Sequence, residues 1–320
     1  MERIKLGTSE LEVSRIGLGC MRLSNDPARA VASIRAALDQ GIDFYDHADI
    51  YGRGACEEVF AHIWGEVPSL RERIVLQSKC GIRFAGDPGP EAPKRFDFSY
   101  EHIVRSVEGS LQRLQTESLD VLLLHRPDAL VEPEGVARAF DDLHRAGKVR
   151  YFGVSNHTAA QIQLLQTCLE QPLVANQVEL NIVHTQLLDD GILFNRDDGG
   201  VISRSEGTVE FCRMQGITLQ AWGPLARGEL SGKPLSDVDG GQRARIGRTA
   251  ALVTEMAEKK GVSQEAIVVA WLLRHPAQIQ PIIGTTNPGR IAGCCQADSA
   301  TLSREEWYSL FIAGRGGELP

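Results

Sequence analysis

Short apolar runs alternate with amphipathic stretches along most of the chain, and this alternation recurs about eight times. Each apolar run is rich in β-branched residues, which is typical of a strand buried on both faces in a parallel sheet. The runs predict eight strands, at residues 15–20, 42–46, 74–79, 119–125, 149–155, 173–178, 217–222 and 280–284.

The stretches between these strands have the spacing of amphipathic helices. They predict helices at residues 28–40, 57–64, 100–114, 134–146, 159–169, 207–215, 249–274 and 288–296, with a break in the seventh after residue 260. Ser99, Thr158 and Ser263 are suited to cap the start of a helix, and Gly41 and Gly147 are suited to end one.

Alternating strands and helices fit either an open doubly wound sheet or a closed barrel. The open dinucleotide-binding sheet favours G-x-G-x-x-G after an early strand, but the run from Gly17 to Cys20 continues with Met21 and Arg22 and lacks the third glycine. Polar residues instead end strand after strand, as at the rim of a barrel. The sequence predicts an α/β fold, a (β/α)8 TIM barrel forming a single domain over residues 1–320, with an N-terminal hairpin capping the barrel bottom.

Three connections, at residues 83–98, 189–206 and 226–248, are longer than usual. On a barrel, loops of this kind often cover the substrate or the cofactor. We expect Trp64, Arg83 and Phe84 to shape a substrate pocket.

Composition narrows the classes of partner. The net charge is -8 and the basic residues are scattered, which argues against a nucleic-acid partner. No apolar run reaches the roughly 18 residues of a membrane span, and the first residues lack the apolar run of a signal peptide, so a cytoplasmic location is expected. The 7 cysteines contain no C-x-x-C pair. The neighbours Cys294 and Cys295 point apart if helical, which disfavours a redox pair.

Four polar residues stand at three consecutive strand ends. Asp46 closes the second strand and Tyr51 follows in its loop; Lys79 closes the third strand and His125 the fourth. Reduction of a carbonyl by hydride needs a proton donor and a group that polarises the carbonyl. The sequence predicts that Tyr51 is this donor, that Lys79 lowers its pKa, that Asp46 holds Lys79, and that His125 orients the substrate.

Other interpretations of the same residues remain open. Asp46, His47, Asp49 and His125 could be ligands of a metal-dependent hydrolase, although the first strand ends without a His-x-His pair. Lys79 could form a Schiff base, but a paired aspartate would keep it protonated. A cofactor-binding sensor or regulatory protein with low turnover is a third alternative.

Several strings in the chain resemble the aldo-keto reductase superfamily, and within it the bacterial YdhF-like group of oxidoreductases. They are D-H-A-D-I-Y-G, S-K-C, L-L-L-H-R-P-D, G-V-S-N and N-Q-V-E, and the resemblance covers nearly the whole chain. It implies a (β/α)8 barrel that reduces small-molecule carbonyl substrates with NADP(H), NAD(H) being possible, and whose catalytic tetrad is Asp46, Tyr51, Lys79 and His125.

The same resemblance implies where the cofactor is held. Ser155, Asn156 and Gln177 match the residues that bind the nicotinamide carboxamide, and Trp222 matches the aromatic residue that stacks on the nicotinamide ring. The implied pyrophosphate loop and adenosine-phosphate site consist of Gly223, Pro224, Leu225, Ala226, Gly228, Gly284, Thr285, Thr286 and Arg290. This chain departs from the family's pattern on both sides of Thr285, at Gly284 and Thr286, and after Arg290, at Gly293 and Cys294. These departures weaken the preference for NADP over NAD.

Overall fold

Eight parallel strands close into a barrel in the computed structural model, which describes residues 1–193, 207–234 and 240–320. Two hairpins lie outside the barrel. The strands in chain order are β1 Arg3–Lys5, β2 Glu12–Ser14, β3 Gly17–Gly19, β4 Phe44–Asp46, β5 Val75–Cys80, β6 Ile82–Arg83, β7 Arg95–Phe96, β8 Leu119–Leu124, β9 Val149–Ser155, β10 Leu173–Glu179, β11 Thr218–Trp222 and β12 Gln280–Ile283. Each of the eight predicted strands corresponds to one barrel strand, and the barrel runs β3-β4-β5-β8-β9-β10-β11-β12 before closing on β3.

Helices surround the barrel and start where the predicted caps stand. Ser99 Oγ accepts from His102 N, Thr158 forms a reciprocal capping box with Gln161, and Ser263 Oγ accepts from Ala266 N. The helices are α1 Pro27–Asp39, α2 Ala55–Phe60, α3 Ile63–Glu66, α4 Tyr100–Leu114, α5 Pro133–Arg145, α6 Ala159–Gln166, α7 Gln186–Leu193, α8 Thr208–Gln215, α9 Gly240–Lys260, α10 Gln264–Leu273, α11 Pro288–Cys295 and α12 Arg304–Arg315.

The N-terminal hairpin of β1 and β2 closes the bottom of the barrel, as predicted. Its antiparallel strands bring Leu6, Leu11 and Val13 into an apolar cluster with barrel residues such as Phe44 and Val121. The lower part of the barrel interior is therefore filled with apolar side chains and is closed to ligands, so a site must lie at the opposite rim.

The predicted loops were partly wrong. α9 begins at Gly240, inside the predicted loop 226–248, and buries Ile246 and Val253 on its inner face. Its first turns were not predicted because they contain glycines, which weaken the helical signal. A short hairpin, β6 with β7, occupies part of the loop 83–98. α7 covers the start of the loop 189–206, and the rest of that loop lies outside the described residues, as do residues 235–239.

A final helix, α12, was not predicted at all. Ser303 and Glu306 cap it reciprocally, and Phe311 stacks near Trp271 of α10. In the described part of the chain, none of the helices is both long enough and apolar enough to span a membrane.

Candidate active site

The residues singled out by sequence converge on one cavity of about 1290 Å³ at the carboxyl ends of the barrel strands. Its wall contains Asp46, Tyr51, His125, Ser155, Asn156, Gln177, Trp222, Gly223, Pro224, Leu225, Ala226, Gly228, Gly284, Thr285, Thr286 and Arg290. Lys79 lies behind this wall and is 1% exposed. Parallel strands bring their carboxyl ends to one rim, which is why residues far apart in the chain meet here.

The backbone after β4 places Tyr51 at this rim. His47 N donates to Gln77 O and Asp49 N donates to Lys79 O, at 2.8 Å and 3.0 Å, so the chain stays bound to β5 just beyond the strand. Tyr51 then begins a short turn, Tyr51–Gly54, in which Gly52 has a φ of 58°. This turn directs the half-buried Tyr51 ring toward Lys79.

Lys79 is the centre of the polar cluster. Its ammonium donates to both carboxylate oxygens of Asp46 at 2.7 Å, to His47 O at 2.8 Å and to the Tyr51 hydroxyl at 3.1 Å. Burial by itself lowers the pKa of Lys79, but the charge of Asp46 and the contact with Tyr51 outweigh burial and raise that pKa. Lys79 is therefore held as an ammonium.

The effect on Tyr51 differs from the prediction. Burial raises the pKa of Tyr51, Lys79 lowers it, and Asp46 raises it again, with the net result above the ordinary value of 10. The predicted influence of Lys79 is present, but the loss of hydration around a phenolate is larger. Tyr51 is consequently a protonated hydroxyl throughout the neutral range.

His125 lies beside Tyr51 on the cavity wall, with the two rings edge-on and their centroids 6.0 Å apart. Burial, with the nearby charges of Lys79 and Arg126, lowers the pKa of His125 to about 2. The imidazole is thus neutral, and its buried Nδ1 finds no partner among residues 1–193, 207–234 and 240–320. A neutral imidazole can donate one hydrogen bond to a substrate oxygen without carrying charge.

A second group of polar residues lines the cavity next to this cluster. The Asn156 amide donates to Ser155 Oγ at 2.8 Å and accepts from Trp222 Nε1 at 3.0 Å, which fixes the indole ring at the cavity surface. Ser155 Oγ donates to the backbone oxygen of Gln177 at 2.8 Å. The Gln177 amide group donates to Asp46 Oδ1 at 3.0 Å, while its Oε1 accepts no hydrogen bond from the described part of the chain.

The two predicted phosphate segments have unusual backbone geometry and a helix start. Ala226 and Arg227 both have a positive φ, at 44° and 57°, a conformation that is costly for residues other than glycine and that clusters at ligand sites. In the other segment, Asn287 Oδ1 accepts from Arg290 N at 3.0 Å and so caps α11. The Arg290 guanidinium lies 3.6 Å from Glu265 and remains on the cavity wall.

Of the three residues expected to shape a substrate pocket, one lines the cavity. Phe84 lines the cavity and stacks under the Arg53 guanidinium at 4.4 Å. Arg83 instead pairs with Asp87 and Asp97, both at 2.8 Å, and Trp64 donates to Leu114 O at 2.8 Å. Both of these side chains are used to hold loops and helices together.

Sequence reasoning missed two sets of residues at this site. Arg126, the residue after His125, lies 5.6 Å from the Trp222 ring at the cavity wall. Three further glutamines, Gln77, Gln220 and Gln280, are buried below Asp46. The signal for the second set was a polar amide within each of three strands otherwise expected to be apolar.

The alternative chemistries do not match the geometry as well. Asp46 is fully engaged by Lys79, and His47 packs edge-on against Phe60 with ring centroids 4.6 Å apart. Across the described ranges, no three His, Cys, Asp or Glu side chains are grouped so that they could hold a metal ion. Cys294 and Cys295 are both free thiols, and burial raises the pKa of Cys295 to about 11.

Comparison with known proteins agrees with the barrel fold. The model of the aldo/keto reductase family matches residues 15–311. YcsN, an uncharacterized oxidoreductase of Bacillus subtilis (strain 168), is 37% identical over 327 residues, and YdhF, an oxidoreductase of Escherichia coli (strain K12), is 36% identical over 327 residues. A 6-dehydroglucose reductase of Agrobacterium fabrum (strain C58 / ATCC 33970) is 35% identical over 324 residues, and in all three cases the match covers 100% of both chains.

The fold and these relatives define the class of protein as a barrel oxidoreductase that uses a nicotinamide cofactor. The chain belongs to the aldo/keto reductase family. The predicted resemblance, including that to the YdhF-like group, is thereby confirmed.

Proposed function

We propose that this protein reduces the carbonyl group of small aldehydes or ketones to an alcohol with NADPH, and that Tyr51 donates the proton. We also propose that residues 1–320 act as one domain. The observation that carries the proposal is the position of the Tyr51 hydroxyl, which is on the cavity wall and 3.1 Å from the buried Lys79 ammonium.

The residues around the hydroxyl suit a general acid. Tyr51 is protonated at neutral pH, so a proton is available when a carbonyl oxygen becomes an alkoxide. Lys79 then faces the developing phenolate and stabilises its charge, while the Asp46 carboxylate keeps the ammonium in place. Neutral His125 donates a hydrogen bond to the substrate oxygen and orients it toward Tyr51.

The part of the cavity wall formed by Asn156, Gln177 and Trp222 suits a nicotinamide dinucleotide. A bound cofactor supplies the hydride. Trp222, anchored by Asn156, offers a flat face for the nicotinamide ring, and Gln177 Oε1 is a free acceptor for its carboxamide N–H. Ser155 supports this wall from below through its bond to Gln177 O.

Two segments of the same cavity wall suit the phosphate groups of the cofactor. The segment 223–228 contains Gly223 and Gly228, both at positive φ, where a backbone can approach a pyrophosphate closely. The segment 284–290 offers the hydroxyls of Thr285 and Thr286 at the start of α11, where the helix dipole favours an anion. Arg290 favours a 2′-phosphate there, and hence NADP over NAD, although Glu265 partly offsets its charge.

The first experiment is NADPH oxidation by wild type and Tyr51→Phe on a panel of aldehydes and ketones. The panel includes 6-dehydroglucose, because a full-length relative is named for its reduction. We expect wild type to reduce part of the panel and Tyr51→Phe to lose at least about 100-fold in kcat, the range for a lost general acid.

The matched control is Tyr45→Phe. The Tyr45 hydroxyl is also buried, but it contacts Ile34 O and Ile42 O rather than the cavity. Tyr45→Phe should therefore retain kcat. Equal activity of wild type and Tyr51→Phe would overturn the proposed role, and tight NADPH binding without turnover of any compound would favour the sensor interpretation instead.

A further inference from the structure

A layer of four glutamines crosses the barrel interior directly below Asp46. Gln77, Gln220 and Gln280 are 0% exposed and Gln177 is 2% exposed. Gln77 is the strand partner of Asp46, and Gln220 pairs with both Gln177 and Gln280 on its neighbouring strands. Barrel interiors are usually filled by branched apolar residues, and a buried amide is costly unless it is hydrogen-bonded. A layer of buried amides at this level therefore indicates a role other than filling the barrel.

The layer is connected into one network that ends on Asp46. Gln77 Nε2 donates to Asp46 Oδ1 at 2.7 Å and to Gln220 Oε1 at 2.8 Å. Gln177 Nε2 donates to the same two oxygens, at 3.0 Å and 3.1 Å. Both amide groups therefore use both of their hydrogens. The Asp46 carboxylate receives two neutral hydrogen bonds in addition to those from Lys79.

The direction of these hydrogen bonds is fixed at both ends of the network. At the lower end, Gln220 Nε2 donates to Gln280 Oε1 at 2.9 Å, and Gln280 Nε2 donates to Ser14 O at 2.9 Å. A backbone carbonyl and an ionised carboxylate can only accept, so each amide between them has one allowed orientation. This orientation leaves Gln77 Oε1 buried and without a partner among the described residues, a cost that an apolar residue would avoid.

We propose that Gln77 is a positioning residue for the reaction: it holds Asp46 as a carboxylate in the orientation that keeps the Lys79 ammonium on the Tyr51 hydroxyl, and Gln220 fixes the orientation of its amide. This inference rests on the proposed function. Its physical basis is that one N–H of the Gln77 amide donates to an Asp46 oxygen and so stabilises the charged form of that carboxyl group. The other N–H donates to Gln220, which prevents the Gln77 amide from turning over.

The Asp46–Lys79 pair supplies the main charges next to this layer, because the other titratable groups that face it are neutral. Cys20 interacts with both members of the pair, and burial raises the pKa of its thiol, so it is neutral. His125 is neutral with a pKa of about 2, and burial lowers the pKa of His47 to about 3. Tyr51 is protonated. A new titratable group at position 77 would thus report on its contact with Asp46.

The decisive variants are Gln77→Glu and Gln77→Met. In Gln77→Glu the new carboxyl group has the shape of the amide but can donate to Asp46 only while it is protonated. We expect its kcat to fall by up to about tenfold per pH unit once this group ionises, because two carboxylates then face each other. Gln77→Met removes the donor at every pH, and its kcat should be about tenfold below wild type without a change in pH profile.

The matched control is Gln280→Glu, because Gln280 is equally buried but contacts Gln220 and Ser14 O instead of Asp46. Its pH profile of kcat should keep the shape of the wild-type profile even if the protein is less stable. Circular dichroism melting of each cofactor-free variant from pH 5 to pH 9 shows which ones are folded. If Gln77→Glu is unfolded, the test rests on Gln77→Met, whose kcat should be lowered while its KM for NADPH is unchanged.

Two outcomes would overturn the inference while leaving the proposed function intact. One is a Gln77→Glu profile with the wild-type shape, and the other is a Gln77→Met variant with wild-type kcat, both in a protein whose activity still depends on Tyr51. A wild-type protein that reduces nothing in the panel would overturn the proposed function and this inference with it.

Discussion

The buried ion pair between Lys79 and Asp46 yields a stability prediction that is independent of catalysis. The two side chains are 0% and 3% exposed, and Lys79 Nζ donates to both carboxylate oxygens. Lys79→Met keeps most of the aliphatic stem and removes the charge. The Asp46 carboxylate is then buried without its counter-charge, and the free energy of unfolding should fall.

The size of this loss follows from the contacts that remain. Removing one partner of a buried pair typically costs about 3–5 kcal/mol. Asp46 Oδ1 would keep its donors Gln77 and Gln177, whereas Oδ2 accepts from Lys79 alone among the described residues. We therefore expect the lower end, about 3 kcal/mol at pH 7. The deficit should narrow at lower pH, because protonation of the carboxyl group removes the unpaired charge.

Urea unfolding followed by circular dichroism at pH 7 and pH 5 measures this loss. The control Lys5→Met removes an exposed lysine and should change stability by less than about 0.5 kcal/mol. The double variant Lys79→Met with Asp46→Leu replaces both charges by apolar groups and should regain part of the stability. A Lys79→Met protein within about 1 kcal/mol of wild type at pH 7, or a double variant less stable than Lys79→Met, would refute the reasoning.

Three further predictions follow from the site. Because the pKa of Tyr51 is raised, kcat for carbonyl reduction should be flat from about pH 5 to pH 9, whereas alcohol oxidation, which needs the phenolate, should rise with pH; steady-state rates in both directions test this. Burial next to Glu57 raises the pKa of Asp49 to about 7, so this group stabilises the fold below about pH 4, and the stabilisation is lost as the pH rises to about 7. Between pH 5 and pH 8 the free energy of unfolding should therefore fall by about 2–4 kcal/mol less in Asp49→Asn than in wild type. An equal fall in the two proteins would contradict this prediction. Arg290→Leu should raise KM for NADPH about tenfold or more and leave KM for NADH nearly unchanged, and equal changes for both would argue against a 2′-phosphate contact.

The barrel was predictable because its signal is local and repeated. Every barrel strand lies in a short, mainly apolar run, and helix starts such as Ser99 and Thr158 carry their capping residues in the sequence itself. α12 and the start of α9 were missed because their local signals are weak. The inner face of α12 is defined by packing partners such as Trp271, which the local pattern does not reveal. The first turns of α9 contain glycines, which weaken the helical signal.

The position of the site was also predictable, but its electrostatics were not. Asp46, Tyr51, Lys79 and His125 could be placed at one rim because each of them ends or follows a parallel strand. The net pKa of Tyr51 could not, because it depends on how much water the folded chain removes from the phenol relative to the attraction of Lys79. Likewise, the sequence gives no sign that Arg83 is directed to Asp87 and Asp97 rather than to a substrate.

Sequence alone determined the barrel, its hairpin plug and the group of polar residues at the rim, since these follow from periodicity and from the side chain at each strand end. Only the tertiary structure decided what lies beneath them. Gln77, Gln177, Gln220 and Gln280 come from strands spread over some two hundred residues, and closure of the barrel brings their amides within hydrogen-bond distance of one another and of Asp46. Hydrogen bonds of this kind depend on distances across the barrel, and no pattern along the chain encodes such distances.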